Sequence, residues 1–160
     1  MVSKTTLTKA MYAGSFDPFT NGHLDIVKEA SAIFDEIYIC IAYNPNKKRV
    51  TNEYDMADAI RDTLKMNNIN NAYVVVYDGL IADFCMKKEI KYLIRGLRNT
   101  SDYMYEENIA KINFEINPNL TTMYFRAKND TISSSMVREL QSYGRDISRY
   151  IPLDIAKLYN

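Results

Sequence analysis

The only histidine of the chain, His23, lies within Gly14-Ser15-Phe16-Asp17-Pro18-Phe19-Thr20-Asn21-Gly22-His23, between an apolar run that reads as a strand and an amphipathic stretch that reads as a helix. Such junctions suit phosphate. Amides in the first turn of a helix have no helical acceptor and carry the positive end of the helix dipole, so an anion there gains hydrogen bonds and field together. Ser15 adds a small hydroxyl, Gly14 and Gly22 allow close backbone approach, and Pro18 sits in the turn. The segment is neither a dinucleotide glycine triplet nor a Walker loop, since no Gly-Lys-Ser or Gly-Lys-Thr follows.

Three further clusters could hold anions. Arg95-Gly96-Leu97-Arg98 places an arginine directly at the end of an apolar strand, where a guanidinium must bind a ligand or pair with an acid such as Glu106 or Glu107. Lys47-Lys48-Arg49 follows another strand; it reads either as a solvated turn or, through Lys47, as a phosphate contact. Thr131-Ile132-Ser133-Ser134-Ser135-Met136-Val137-Arg138 reads as a serine N-cap opening a helix, and its hydroxyls and first-turn amides form a second phosphate cradle. Two cradles with cations between them suit a polyphosphate.

The elements that must position these residues alternate along the chain. Strands are expected at Ala10–Ala13, Ile37–Tyr43, Val74–Tyr77, Tyr92–Ile94 and Leu120–Phe125. Helices are expected through Ile26, Val27, Ala30, Ile33 and Phe34, from about Thr51 through Leu64, at Ile81–Lys88, from about Asp102 to Ile116, at Ser133–Ser142, and over Pro152–Tyr159. This alternation predicts an α/β fold, a doubly wound five-stranded parallel sheet with helices on both faces and a C-terminal helical segment. In such a sheet, ligands bind at the carboxyl ends of the strands, so His23, Lys47, Arg95, Arg98 and Ser133–Ser135 are expected on one rim.

Composition narrows the classes. The 160 residues suit one compact domain, expected to span 1–160. Lys plus Arg and Asp plus Glu each total 20, so net charge supplies no case for nucleic acid or an acidic membrane, and any anion binding must be local. Cys40 and Cys85 lie in apolar contexts without metal-site spacing and read as buried thiols of a reducing compartment. No apolar run approaches the roughly 20 residues of a membrane span, and Met1–Lys9 lacks the hydrophobic core of a signal peptide, which predicts a cytoplasmic protein. The 13 tyrosines and six phenylalanines are scattered rather than gathered in a stacking platform, as expected of core and subunit-contact residues.

Taken together, Gly14-Ser15-Phe16-Asp17-Pro18 with Thr20-Asn21-Gly22-His23, Arg95-Gly96-Leu97-Arg98, and Ile132-Ser133-Ser134-Ser135 resemble bacterial phosphopantetheine adenylyltransferases, over about Ala10 to Pro152. The first and last motifs also occur in the wider nucleotidyltransferase superfamily, while the Arg-Gly-Leu-Arg block followed by Asp102, Tyr105 and Glu106 is particular to this branch. The resemblance implies a Rossmann-like fold, magnesium as cofactor, a cytoplasmic homohexamer, and transfer of the adenylyl group of ATP to phosphopantetheine by direct in-line attack. The products would be dephospho-coenzyme A and pyrophosphate, with feedback by coenzyme A left open. Carried over by position, Ser15 would contact both substrates, and His23 would bind ATP and stabilise charge on the α-phosphate. Lys47, Arg95 and the backbone near Ile81 would hold phosphopantetheine. Phe16, Gly96, Leu97, Arg98, Glu106, Asn129, Asp130, Thr131, Ile132, Ser133, Ser134 and Ser135 would hold ATP, and Ser15, Lys47 and Arg98 would act with His23 in catalysis. No protein ligand set for a metal is visible. The chain departs from the family pattern at Val50-Thr51-Asn52-Glu53-Tyr54-Asp55, where an aromatic residue and Glu-Glu-Arg are usual, and the loop before Ile132 is one residue shorter than in some relatives.

Overall fold

A computed structural model describes residues 6–160; the first five residues of the Met1–Lys9 segment lie outside the described residues. Five strands form one all-parallel sheet: β1 (Lys9–Gly14), β2 (Glu36–Ala42), β3 (Ala72–Tyr77), β4 (Tyr92–Leu97) and β5 (Thr121–Arg126), in the order β3-β2-β1-β4-β5. The helices are α1 (Asn21–Ser31), α2 (Glu53–Met66), α3 (Ile81–Lys87), α4 (Thr100–Ile116), α5 (Ser134–Ser142) and α6 (Leu153–Ala156), followed by a 3-10 turn at Lys157–Tyr159. The expected α/β architecture is the one observed.

Side-chain alternation explains why the central strands read as continuous apolar runs. Ala10, Tyr12, Ile37, Ile39 and Ile41 join one core with Ile26 and Val27 of α1, Met56 and Ile60 of α2, and Val137 of α5. Met11, Ala13 and Cys40 face a second core with Ala82 and Cys85 of α3. A strand with both faces covered gains by being apolar at every position.

Two elements differ from expectation, the first of them at the site. β4 runs three residues past Ile94, with Arg95 paired to Tyr124, Gly96 to Phe125 and Leu97 to Arg126. Arg95 is therefore a strand residue rather than the first of a loop; the register with β5 outweighs the loss of apolar character. The single helix expected over Pro152–Tyr159 is a four-residue α6 plus the 3-10 turn.

The sheet order places β1 between β2 and β4, so the chain leaves β1 toward one edge and later returns to build the other. The crevice above the carboxyl ends of β1 and β4 is the switch point, where loops diverge and leave room for a ligand.

Candidate functional site

A cavity of ≈330 Å³ opens at that switch point. Its wall includes Ser15, Phe16, His23, Arg95, Gly96, Arg98, Glu106, Asn129, Ile132, Ser133, Ser134 and Ser135. Lys47, Ile81, Leu97, Asp130 and Thr131 do not line it. Lys47 is exposed in a tight turn in which its amide donates to Asn44 O (2.9 Å), and Ile81 starts α3 on the opposite face of the sheet. Three strand ends supply the wall, those of β1, β4 and β5, whereas the loop after β2 stands aside.

The N-terminus of α1 is not the open row of amides that its sequence suggests. Thr20 caps the helix: its Oγ1 accepts the His23 amide (3.3 Å), while His23 Nδ1 accepts the Thr20 amide (2.9 Å), a reciprocal capping box with histidine in the place usual for glutamate. The Asn21 amide is taken by Tyr150 O (2.9 Å). Of the first-turn amides only that of Gly22 is left untaken, so α1 presents to the cavity that amide and the His23 side chain. An imidazole whose Nδ1 accepts an obligate donor carries its proton on Nε2, so His23 is a neutral N–H donor.

The surroundings of the ring enforce that state. Phe16 meets it edge-on with centroids 5.0 Å apart, Phe19 lies at 5.5 Å and Tyr12 at 6.2 Å. Burial among these rings lowers the His23 pKa from 6.5 to about 4, and the nearby guanidinium charges of Arg98 and Arg95 push in the same direction.

At α5 the first turn stays available. Ser133 Oγ accepts the Met136 amide (3.1 Å), and the helical ladder begins only at Val137 N–H to Ser133 O (3.1 Å), so the Ser134 and Ser135 amides precede it. The three hydroxyls divide their work. Ser133 caps, Ser134 donates to Pro18 O (2.8 Å), and Ser135 accepts from Arg138 (3.2 Å), which leaves the Ser133 and Ser135 hydroxyl protons for a ligand.

Both routes open to Arg95 in the sequence lead to one place. Its Nε and Nη2 hold the two carboxylate oxygens of buried Glu106 at 2.7 Å each, and Nη1 donates to Ala13 O (2.6 Å). Burial favours the uncharged form, but the Glu106 carboxylate outweighs it and keeps the guanidinium pKa above its ordinary value. One proton on each terminal nitrogen remains for an anion. Arg98 is more exposed and pairs with Asp102 one helical turn on, at 3.0 Å through Nε. Gly96 lets α1 approach β4, since a Cβ there would stand 2.7 Å from Ile26 Cδ1.

Several residues of the wall carry no assigned role in the reading of the sequence: Tyr12, Thr20, Asp102 and Arg138. Thr20 carried a readable signal, the three-residue spacing to His23 of a capping box, and Arg138 carried another, one helical turn beyond Ser134.

Comparison with known proteins agrees with this geometry. The cytidylyltransferase-like family matches residues 11–140. The chain is 41% identical to the phosphopantetheine adenylyltransferase of Vesicomyosocius okutanii over 151 residues, which is 93% of this chain and 94% of the relative. It is 40% identical to that of Staphylococcus haemolyticus (94% and 93%) and 38% identical to that of Shouchella clausii (94% and 94%). Among solved structures, a putative nicotinate-nucleotide adenylyltransferase from Vibrio parahaemolyticus superposes with a TM-score of 0.76 at 18% identity, covering 97% of this chain and 100% of that one. The nicotinic acid mononucleotide adenylyltransferase of Plasmodium falciparum in complex with NaAD gives 0.68 at 18% identity, covering 96% and 98%. At that identity the two structures speak for the fold alone.

Proposed function

Because the chain belongs to the cytidylyltransferase-like family and, within it, to the phosphopantetheine adenylyltransferases, we propose that this cavity transfers the adenylyl group of ATP to the phosphate of phosphopantetheine, yielding dephospho-coenzyme A and pyrophosphate. The observation that carries the reading is the neutral His23, its Nδ1 held by the Thr20 amide so that Nε2–H is the free donor, in a cavity wall shared with the start of α5 and with Arg95 and Arg98.

The nucleophile needs no activation. An oxygen of the phosphopantetheine phosphate is already anionic, so it attacks the α-phosphorus of ATP in line, and the bond from that phosphorus to the α,β-bridging oxygen breaks. The electron pair leaves with pyrophosphate, and no proton has to move to a base. What the site must supply is alignment and donors for the charge that grows on the transferring and leaving oxygens. His23 Nε2–H serves the α-phosphate. The Ser134 and Ser135 amides, the Ser133 and Ser135 hydroxyls and Arg98 serve the polyphosphate, with Asn129 and Ile132 beside the nucleotide. Ser15 lies between the two substrates, and Arg95 uses its remaining protons for the acceptor phosphate. Lys47 would reach the acceptor only if its turn folds inward over the bound substrate.

Magnesium is the expected companion of ATP, where it offsets polyphosphate charge. Among the described residues no cluster of three or more His, Cys, Asp or Glu side chains could hold a metal ion, and the two cavity carboxylates, Asp102 and Glu106, are engaged by Arg98 and Arg95. The cavity therefore offers no protein cage, and the ion would ride on substrate phosphates and water. Coenzyme A shares the adenylate and pantetheine parts of the product, so feedback would take the form of competition for this cavity.

The α4 surface supports self-association, and a homohexamer is the expected assembly. Only Glu106 of this 17-residue helix is buried, while Tyr103, Met104, Tyr105, Ile112 and Phe114 are exposed. No described helix is long and apolar enough to cross a membrane, and the buried free thiols of Cys40 and Cys85 suit the reducing cytoplasm.

The test is pyrophosphate release from ATP and magnesium with phosphopantetheine, beside glycerol 3-phosphate and nicotinamide mononucleotide. Release with phosphopantetheine alone is expected. Release only with another acceptor would keep the chemistry and overturn the substrate, and silence with all three would overturn the reaction.

A further inference from the structure

Arg49 behaves unlike the two lysines before it. Lys47 and Lys48 are exposed, whereas the Arg49 side chain is only 11% exposed and is folded back against the loop between β1 and α1. Its Nη1 donates to Ser15 O (2.6 Å), its Nη2 reaches Phe16 O (3.4 Å), and its Nε donates to Thr51 O (3.0 Å). The guanidinium also stands 4.0 Å from the carboxylate of buried Asp17, which accepts the amides of Val50 (2.9 Å) and Thr51 (3.1 Å).

The loop so held is unusual. Phe16 adopts φ of 44°, a left-handed conformation that a bulky residue keeps only where its surroundings impose it. From the far side, Arg138 donates to Asp17 O (2.6 Å) and Ser134 to Pro18 O (2.8 Å). Four main-chain carbonyls in a row, from Ser15 to Pro18, are thus gripped by side chains of two other elements, and Arg49 alone grips the two that belong to cavity residues Ser15 and Phe16. Arg49 itself does not line the cavity.

We propose that Arg49 is a positioning residue for adenylyl transfer: by fastening the carbonyls of Ser15 and Phe16 it sets the Ser15 side chain and the Phe16 ring that packs edge-on against His23. The inference rests on the proposed reading of the cavity. Lysine is no substitute, since a single ammonium has neither the fork nor the reach to span two carbonyls and Thr51 O at once.

The experiment compares Arg49→Ala and Arg49→Lys with the parent by steady-state kinetics, thermal unfolding, and proton NMR of the single histidine ring. Arg49→Ala is expected to lower kcat about 10- to 100-fold while the KM for ATP changes less than about threefold. Millimolar guanidinium chloride should restore part of the lost kcat in the alanine variant, with no effect on Arg49→Lys. The His23 ring protons should shift in both variants as the Phe16 ring moves. A variant that unfolds at a lower temperature but keeps the parent kcat and His23 signals would overturn the proposal, as would a loss of kcat in Arg49→Ala that guanidinium leaves untouched. Where the alanine variant does not fold, Arg49→Gln carries the kcat, KM and His23 ring-signal readouts. Parent activity toward phosphopantetheine judges the reaction separately, and the His23 signals judge Arg49 even if the parent is silent with that acceptor.

Discussion

α1 and α5 each begin with a hydroxyl N-cap at the edge of the same cavity, yet they offer a ligand different groups. In the first turn of α1 the Asn21 amide is taken by Tyr150 O and the His23 amide by the Thr20 cap, so the turn presents the Gly22 amide and one oriented imidazole. The first turn of α5 stays open and presents amides and hydroxyls. A helix terminus is thus a binding site only to the extent that the surrounding chain leaves it unsatisfied. Spending α1 amides on a cap fixes one directional donor for the atom where charge develops; leaving α5 amides open suits an extended polyphosphate.

Four outcomes would break or sharpen that contrast. Largest is His23→Ala, which should lower kcat by on the order of 10²-fold or more, about 3 kcal/mol of barrier, with a modest change in ATP affinity. Equal turnover by variant and parent in the pyrophosphate assay would mean that α1 does not act through its ring. Thr20→Val should cost about 1 kcal/mol in urea unfolding through the lost cap, while kcat falls only several-fold, because the Thr20 amide still holds Nδ1. A kcat loss as deep as that of His23→Ala would show that the hydroxyl, not the amide, orients the ring.

Ser133→Ala should also cost about 1 kcal/mol, but here the expected kinetic change is a higher KM for ATP with kcat near the parent value, since the α5 amides remain. A pure kcat effect would instead put α5 at the reacting phosphorus. Smallest is the pH response. With a folded pKa of about 4 against 6.5 when unfolded, the neutral ring favours folding fully above pH 6.5, and that contribution is lost as the pH falls from 6.5 toward 4, where the unfolded chain binds the extra proton. The sole histidine makes the check direct: its NMR signals should keep the Nε2–H form through pH 6, and a midpoint near 6.5 would refute the caged ring.

Much of this was readable in advance, and the parts that were not share a cause. β1 and β2 announce themselves because burial on both faces demands apolar residues throughout, and α2 follows from Met56, Ala59, Ile60 and Leu64 at helical spacing. The last three residues of β4 escaped because Arg95-Gly96-Leu97 has no strand-like pattern; the pairing with β5 extends the strand. Lys47 reads from the sequence as a phosphate contact and stands outside the cavity wall here, while Arg49, two residues on, reaches the loop backbone. Nothing in a run of three cations tells which one turns inward, since that depends on carbonyls more than thirty residues away.

The amino-acid sequence by itself determined the order of strands and helices, the apolar residues of both cores, and the residue types gathered at the strand ends, because these depend on local periodicity and on chemistry written at single positions. Only the tertiary structure decided which donors are spent and which remain: that the Asn21 and His23 amides of α1 are taken, that Glu106 and Ala13 take three protons of Arg95, and that Arg49 fastens the Ser15–Phe16 backbone. A hydrogen bond has few partners and a short reach, so its assignment is settled by distances of a few ångströms between segments far apart in the chain.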